Sequence, residues 1–334
     1  MGALRAFYEP FILKLLGTVA LATFLPAQGK WTPIFGLIAN AAIVLLFFLH
    51  GAKLSRQAII DGARHWRLHL VTLSITFVLF PILGFGLSRL HLLSGPLATG
   101  ILFLSLLPST VQSSIAFTAI ARGNVAAAVC SASFSNLLGI FVTPALVTLT
   151  MQTNGSSGVS WSAIESILLQ LLLPFVLGHM LRPVIGGFVA RHKAMVTTVD
   201  RGSILLVVYT AFGAAVMEGL WHLVSGLDLL MIAIVCVIQL GVVLSVTWMV
   251  GRALGFVRED RIVLLFCGSK KSLASGVPMA GVLFSAASVG QIILPLMLFH
   301  QIQLIACAII ARRLAGDEPA ANASLPGRAV SPAA

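Results

Sequence analysis

The sequence predicts an all-α membrane protein that crosses the bilayer ten times. Only 9% of its residues are charged and 58% are hydrophobic, with a mean hydropathy of +1.03, whereas soluble domains carry about 25% charged residues. Ten apolar segments approach the length of about 20 residues that a transmembrane helix needs. The basic residues concentrate on alternate connections between these segments. Together these observations predict a multi-pass helical fold.

The ten predicted spans are separated by short connections. They comprise residues 10–27, 32–51, 68–90, 96–120, 124–150, 162–184, 203–222, 227–251, 262–285 and 289–311. Arg5 and the run from Phe11 to Leu25 have the outline of a signal peptide. However, Lys14 interrupts this run and a second apolar segment follows at once, so we expect the first segment to remain in the membrane as a helix.

The positions of the 21 Lys and Arg residues predict the orientation. With a cytoplasmic N-terminus, the cytoplasmic side carries Arg5, Lys53, Arg56, Arg64, Arg67, Arg122, Arg182, Arg191, Lys193, Arg201, Arg252, Arg258, Arg261, Arg312, Arg313 and Arg328. Only Lys30 and Arg89 lie outside, and Lys14, Lys270 and Lys271 fall within spans. Cytoplasmic connections carry an excess of basic residues. We therefore expect both termini to be cytoplasmic.

The spans divide into two halves of five around the polar connection 152–160. Residues 1–151 are the first predicted five-helix repeat and residues 161–313 the second. Residues 316–334, rich in Ala, Pro and Ser, are predicted to be a disordered cytoplasmic tail. Because five is an odd number, the halves would have opposite orientations, which is how inverted-repeat transporters are built.

The fourth span of each half contains a segment that a continuous helix would disfavour. In span 4 this segment is 107–114, which includes Pro108, and in span 9 it is 268–278. Proline removes a backbone donor, and non-helical backbone at membrane depth is tolerated only inside protein or beside a watery cavity. An ordinary kinked helix explains either segment alone. Matching breaks in both halves indicate a transport site.

Several motifs in and near these segments resemble one known family. The residues Pro108-Ser109-Thr110-Val111-Gln112-Ser113-Ser114, the element Ala121-Arg122-Gly123-Asn124-Val125 and the stretch from Leu137 to Thr143-Pro144 resemble spans 4 and 5 of the bile acid:sodium symporter superfamily. Phe266-Cys267-Gly268-Ser269-Lys270-Lys271-Ser272-Leu273 is similar to its SBF-like branch, the bacterial relatives of solute carrier family 10 member 7. The order of the spans agrees over roughly residues 5–313.

This resemblance implies an architecture and a location. Spans 1, 2, 6 and 7 would form a panel domain, and spans 3, 4, 5, 8, 9 and 10 a core domain. Broken spans 4 and 9 would cross at the bilayer midplane, with a pocket between core and panel. Movement of one domain against the other would give alternating access. The resemblance also implies the bacterial inner membrane as the location.

The sequence departs from the bile-acid carriers at the positions that hold sodium there. The resemblance places their sodium-binding glutamate at Cys267 and the nearby glutamine at Lys271, and their span-5 hydroxyls at Ala128 and Ala132. In span 4 only two hydroxyl positions are retained, Ser113 and Ser114. We therefore do not expect sodium coupling to carry over, and sodium or a proton remains open as the coupling ion.

The acidic residues also argue against a typical cation site. The chain has ten of them. Glu9, Asp61, Asp200, Asp228, Glu259, Asp260, Asp317 and Glu318 are predicted in loops, helix ends or the tail, and Glu165 and Glu218 within about a turn of a span end. Sodium prefers oxygen ligands and proton relays usually use Asp, Glu or His. No coupling carboxylate is therefore predicted at mid-membrane.

Lys270 and Lys271 instead place two cations in span 9. A cation at bilayer depth costs at least about 2.5–3.5 kcal/mol. One interpretation is a structural ammonium that replaces a bound cation at the crossing, and the other is a lysine that faces the cavity and binds an anionic substrate beside helix N-termini. We favour Lys271 for the first role and Lys270 for the second. A lysine that released its proton would also allow proton coupling.

The candidate substrate and ion site combines the crossing with polar residues of the core spans. It comprises Lys270, Lys271, Ser269, Ser272, Cys267, Gln112, Ser113, Ser114, Pro108, Asn136, Gln239, His300 and Gln301. The four cysteines lack metal spacing. No catalytic constellation, cofactor motif or nucleotide loop is found, so neither an enzyme nor a metal or cofactor site is predicted.

The predicted partners are the lipid bilayer and a small, anionic solute. Basic connections set topology and contact anionic lipid, so the net charge of +11 does not indicate nucleic-acid binding. The sequence predicts a secondary transporter that moves an organic anion or a small amphipathic solute. Two alternatives stay open: a regulatory or accessory membrane protein that retains the fold without transport, and an anion channel.

Overall fold

The fold is described from a computed structural model, which covers residues 10–53, 65–90, 92–93, 95–151, 165, 168–217 and 219–316. Within these ranges the regular secondary structure is helical, with no β-strand. The predicted tail beyond Gly316 and the connection 152–160 lie outside the described residues. So do five of the acidic residues named above: Glu9, Asp61, Glu218, Asp317 and Glu318.

The helices follow one another with short connections. They are α1 (Pro10–Phe24), α2 (Trp31–Lys53), α3 (Trp66–Ser88), α4 (Gly95–Leu106), α5 (Gln112–Ile120), α6 (Val125–Met151), α7 (Leu173–Arg191), α8 (Lys193–Met217), α9 (Leu220–Leu223), α10 (Gly226–Ala253), α11 (Arg258–Gly268), α12 (Leu273–Leu283) and α13 (Ala286–Gly316). A π turn, Ile75–Leu79, interrupts α3, and a second one, Leu168–Leu172, precedes α7.

Seven helices in the described ranges are long and apolar enough to cross a membrane. They are α2, α3, α6, α7 with its preceding turn, α8, α10 and α13. Shorter apolar stretches lie in α1 and α4. Helices α5, α11 and α12 contain 9, 11 and 11 residues, too few at 1.5 Å per residue to cross about 30 Å of hydrocarbon. The predicted multi-pass helical membrane protein is confirmed at this level.

Two helix pairs are separated by short non-helical segments where the sequence predicts breaks. Residues 107–111 separate α4 from α5, and residues 269–272 separate α11 from α12. The second segment is shorter than the predicted stretch 268–278, and Pro278 lies inside α12. Ser272 caps α12 by accepting from the Ser275 amide, so the helix begins at Leu273, five residues before the proline.

The helices form two packed groups. The first helix group consists of α1, α2, α7 and α8, and the second of α3, α4, α5, α6, α10, α11, α12 and α13. Helix α8 also packs against α12 and α13 and so joins the two groups. In the first group α2 and α7 approach closely at two glycines. A Cβ at Gly51 would lie 2.0 Å from the Phe175 carbonyl oxygen, and one at Gly178 would lie 1.9 Å from that of Phe48. Small residues are the usual means of close packing between membrane helices.

We expect the substitution Gly178→Val to separate α2 from α7 and to lower the free energy of unfolding. A new side chain in a filled contact costs about 1–3 kcal/mol, and here the obstacle is rigid backbone. Gly187→Val on the same helix is the control, since a Cβ there meets nothing within 4 Å. Thermal unfolding in lipid nanodiscs measures both variants. Equal unfolding temperatures for the two would contradict this packing argument.

Candidate functional site

A cavity of about 700 Å³ lies between the two helix groups. The first group lines it with Phe11, Leu46, Phe47, His50, Lys53, Phe175, Thr197, Asp200, Arg201 and Ile204. The second group and its non-helical segments contribute Thr110, Val111, Gln112, Ser113, Ala116, Phe117, Ser133, Asn136, Leu137, Ile140, Ser272, Leu273, Ala274, Ser275, Met279, His300 and Leu304. This volume is within the range of small-molecule sites, about 300–1,000 Å³.

Around the end of α4, five consecutive carbonyl groups accept hydrogen bonds from other elements. Lys271 Nζ donates to the carbonyl oxygens of Ser105 and Leu107, and Thr143 Oγ1 donates to that of Leu106 between them. The Ser272 amide donates to the Pro108 carbonyl, and Asn136 Nδ2 donates to the Ser109 carbonyl. Buried backbone groups without partners are costly. The break in this helix is therefore stabilised by donors from α6 and from the segment after α11.

Lys271 is fully buried and makes three hydrogen bonds to carbonyl oxygens. Its ammonium donates to Thr76 at 2.8 Å, to Ser105 at 2.8 Å and to Leu107 at 2.7 Å. An ammonium has three donors, so each is used. The Phe80 ring centroid lies 4.1 Å from Nζ, which adds a cation–π contact. This side chain joins α3 to the end of α4.

Gln303 on α13 holds the backbone of Lys271 from the other side. Its Oε1 accepts from the Lys271 amide at 2.8 Å, and its Nε2 donates to the Lys271 carbonyl at 2.9 Å. The same Nε2 lies 2.9 Å from His300 Nδ1. Gln303 is absent from the predicted site. The sequence contained one signal for including it: Gln303 follows His300 by three residues, so both side chains lie on the same face of a helix.

The position of Lys270 corrects the expectation that it faces the cavity. Lys270 is fully buried and does not contribute to the cavity wall. Its Nζ donates to Ser113 Oγ at 3.2 Å and lies 4.4 Å from the Phe117 ring centroid and 5.8 Å from that of Phe266. Ser113 and Phe117 both line the cavity. The ammonium therefore lies behind Ser113 and Phe117, one side-chain layer from the cavity.

Several predicted site residues support the crossing without lining the cavity. Ser269 donates to the Leu265 carbonyl, Ser114 donates to the Phe266 carbonyl, and the Cys267 thiol points to the Ala128 carbonyl at 3.8 Å. Pro108 provides the carbonyl that accepts from Ser272. Gln239 bonds to Ser105 Oγ at 2.6 Å, and Gln301 is half-buried on α13. None of these residues is part of the described cavity wall.

Five of the predicted residues line the cavity itself: Gln112, Ser113, Asn136, Ser272 and His300. Asn136 donates to the Ser109 carbonyl at 2.9 Å and accepts from Ser275 Oγ at 2.9 Å, so its amide joins the segment after α4 to the first turn of α12. Gln112 begins α5 and Ser272 caps α12, so the N-termini of both helices meet the cavity. Helix N-termini carry partial positive charge.

Charged residues of the first helix group also line the cavity, and the sequence predictions did not include them in the site. Lys53 at the end of α2 forms an ion pair with Asp200 on α8. The next residue, Arg201, places its guanidinium 5.3 Å from the Phe11 ring centroid. The predicted span started at residue 203, whereas α8 begins at Lys193. Asp200 therefore lies within a helix and beside the cavity, instead of in a connection.

The element at 121–125 forms the turn between α5 and α6. Arg122 has a φ of 59°, a left-handed conformation in which the chain reverses. The Asn124 side chain accepts from the Ala127 amide at 3.0 Å, capping α6, and donates to Asp260 at 3.0 Å. The Asn124 amide also bonds to the Glu259 carbonyl. The motif thus fixes the start of α6 to that of α11.

A cavity between the helices of an apolar, multi-helix protein, beside two polar non-helical segments, is typical of membrane transporters. The chain belongs to the SBF-like CPA transporter family, whose sequence pattern matches residues 9–316. This match confirms the resemblance drawn from the motifs. The family and the names of the relatives indicate a transporter of the bile acid:sodium symporter type, and membership implies that the chain is not an enzyme.

Similar chains occur in bacteria and vertebrates. The chain is 55% identical over 333 residues to the uncharacterized protein PA2026 of Pseudomonas aeruginosa, covering 98% of this chain and 100% of that one. It is 54% identical over 307 residues to the putative symporter YfeH of Escherichia coli K12, covering 91% and 92%. It is 28% identical over 320 residues to sodium/bile acid cotransporter 7 of Xenopus tropicalis, covering 93% of each.

Proposed function

We propose that this protein is a secondary transporter that moves an organic anion or a small amphipathic solute by alternating access. The observation that carries this proposal is the cavity of about 700 Å³ between the two helix groups, with the N-termini of α5 and α12 at its wall. In this proposal the first group is the panel domain and the second the core domain. Movement of one helix group against the other would close the cavity on one side of the membrane and open it on the other.

The proposed topology has ten spans in two inverted repeats. Helices α4 and α5 together would form one interrupted span, and α11 and α12 another. The matching positions of these interruptions, with direct contact between Ser272 and Pro108, support this arrangement. Both termini would face the cytoplasm of a bacterial cell, with the protein in the inner membrane.

The proposed mechanism does not use sodium at the crossing, because the Lys271 ammonium already occupies the carbonyl oxygens there. The three acceptors around Nζ lie at 2.7–2.8 Å. Broken transporter helices often expose such carbonyls to a bound cation. The Lys271 ammonium would hold the two non-helical segments together throughout the transport cycle. Any coupling ion would then bind at another place in the protein.

We expect the unfolding temperature of the protein to be the same in sodium chloride and in choline chloride of equal concentration. A bound ion stabilises the folded state according to its concentration and affinity, and no sodium site is proposed. Thermal unfolding in nanodiscs, with titration of each salt, is the measurement. A saturable, sodium-specific rise would contradict the replacement of the ion by Lys271.

Transport itself is tested with reconstituted protein. Relatives carry the name sodium/bile acid cotransporter 7, so cholate is a suitable first solute for uptake into proteoliposomes. A carrier gives saturable uptake and exchange of internal with external solute, whereas a channel gives conductance without saturation at low concentration. An accessory protein gives neither uptake nor a solute-dependent rise in unfolding temperature.

A further inference from the structure

Two arginines lie together where α10 ends and α11 begins. Arg252 is in the last turn of α10, and Arg261 is in the first turn of α11. The stem of Arg261 packs on the residue before Arg252, because a Cβ at Gly251 would lie 3.1 Å from Arg261 Cγ. Neither arginine is part of the described cavity wall. The two side chains are therefore neighbours, outside the cavity between the helix groups.

Neither arginine forms an ion pair with a carboxylate of the described residues. Two acidic residues, Glu259 and Asp260, share the first turn of α11 with Arg261. Residues one and two positions apart on a helix point to different sides, and Asp260 accepts from the Asn124 side chain, on the turn between α5 and α6. Arg261 Nε is buried without a hydrogen-bond partner in the described part of the chain. A buried donor without a partner is costly, so this guanidinium is suited to an anion from outside the protein.

A tryptophan beside the two arginines indicates their depth in the membrane. The Arg261 guanidinium lies 5.0 Å from the Trp248 ring centroid. Trp248 precedes Arg252 by four residues, so both lie on the same face of α10, a helix long and apolar enough to cross a membrane. Tryptophan is enriched where such helices meet the lipid headgroups. The connection to α11 also exposes the apolar side chains of Leu254 and Val257. This position, between apolar surface and water, is the level of phospholipid phosphates.

We propose that Arg252 and Arg261 form a binding site for the phosphate group of an anionic phospholipid, with Trp248 holding the Arg261 guanidinium. Guanidinium groups bind phosphate oxygens through paired hydrogen bonds, and basic pockets between membrane helices bind lipid headgroups. Two cations without carboxylate partners favour a headgroup of net negative charge over phosphatidylcholine, whose choline offsets its phosphate. The acyl chains would lie against exposed apolar side chains of the same region, Met249 and Leu254.

A phosphate bound at this site would connect two helices of the second helix group, because each helix contributes one arginine. Helix α11 ends at Gly268, directly before the non-helical segment that contains Lys271. A bound lipid therefore stabilises the folded protein, to an extent set by its concentration and affinity. Since the site lies outside the cavity wall, this stabilisation does not depend on whether the protein transports a solute.

Short-chain lipids with different headgroups test the site on the full chain in uncharged detergent micelles. The probes are dioctanoyl phosphatidylglycerol, dioctanoyl phosphatidylcholine, dioctanoylglycerol and inorganic phosphate, each titrated while the unfolding temperature is measured. We expect a saturable rise with phosphatidylglycerol and none with the other three. No rise with phosphatidylglycerol, or an equal rise with phosphatidylcholine, would overturn the anionic-lipid site. An equal rise with inorganic phosphate would show that the ligand is a soluble anion, which also contradicts the proposal.

Substitution of either arginine should weaken the binding of phosphatidylglycerol. Arg252→Gln and Arg261→Gln should each lower the affinity about tenfold, the effect of losing one charge-assisted hydrogen bond. Arg252 is exposed, so its variant tests the site even if Arg261→Gln, which loses packing on Gly251, fails to fold. Arg191→Gln is the matched control, because this exposed arginine at the end of α7 bonds to the Gly187 carbonyl of its own helix. Its affinity should stay unchanged. Unchanged affinity in the site variants, or an equal loss in the control, would overturn the assignment.

Discussion

Replacing Lys271 with methionine is expected to leave most of the protein unfolded. Methionine keeps much of the volume of the lysine stem but has no donor, so the carbonyls of Thr76, Ser105 and Leu107 would lose their shared partner. Each buried polar group left without a partner costs about 1–3 kcal/mol. The loss should therefore exceed about 3 kcal/mol. Size-exclusion chromatography and thermal unfolding of purified protein measure it.

Lys270→Met is the matched control, since the two lysines are adjacent and equally buried. Lys270 makes one hydrogen bond, of 3.2 Å, to the side chain of Ser113, and Ser113 also donates to Thr110 Oγ1, a bond that does not depend on the lysine. We expect the control to unfold at a temperature closer to that of the wild type. If Lys270→Met were as destabilising as Lys271→Met, then burial of any lysine, and not the three-carbonyl contact, would explain the loss.

A rescue experiment applies even where Lys271→Met fails to fold. Lys271→Ala leaves space for a small alkylammonium ion, and propylammonium can donate to the same three carbonyls. Adding propylammonium chloride should raise the yield or unfolding temperature of this variant. Tetramethylammonium has the same charge but no N–H donor, so it should not. Equal effects of the two ions would indicate a general salt effect and contradict a specific ammonium site.

Gln303→Leu is expected to produce the second large loss of stability. Both backbone groups of Lys271 bond to the Gln303 amide, at 2.8 Å and 2.9 Å, and leucine can replace neither bond. Two unsatisfied buried groups cost about 2 kcal/mol or more. The segment 269–272 should also lose its fixed position relative to α13. Thermal unfolding measures the loss of overall stability. Faster amide hydrogen exchange at Lys271 measures the local loss of structure in the segment.

Gln301→Leu provides the comparison for that experiment. It makes the same chemical change two residues earlier on α13, at a half-buried position. A substitution away from a buried network usually changes stability by less than about 0.5 kcal/mol. Gln303→Glu separates the two bonds, because a carboxylate can still accept from the Lys271 amide but cannot donate to the carbonyl. Similar stability of Gln303→Leu and Gln301→Leu would show that the paired bonds contribute little.

The sequence was sufficient for the parts of this fold that depend on local composition. Apolar length identified seven long helices of the described residues, and Pro108 and the Gly-Ser-Lys-Lys segment marked two stretches that are not helical. Motifs near these breaks also identified the family. Each of these signals is contained in a short stretch of chain. Boundaries were less accurate where a helix continues beyond its apolar stretch, as α8 does from Lys193 to residue 202.

The candidate site was only partly predictable, because its contacts join residues distant in sequence. Two adjacent lysines look alike in the sequence, yet one bonds to three carbonyls and the other contacts aromatic rings. Nothing local to Lys53 or Asp200 indicates their ion pair, since they are 147 residues apart. The hydrogen bonds of Gln303 to the Lys271 backbone likewise depend on the packing of α13 against residues 269–272.

The sequence by itself thus determined that the protein is a helical membrane protein of this family, with a costly pair of cations in an interrupted segment. Only the tertiary structure decided which lysine bonds to the three carbonyl oxygens and which charges meet the cavity. The physical reason is that membrane insertion depends on the composition of each segment. The environment of a buried charge, in contrast, depends on which distant carbonyls, rings and carboxylates packing brings to it.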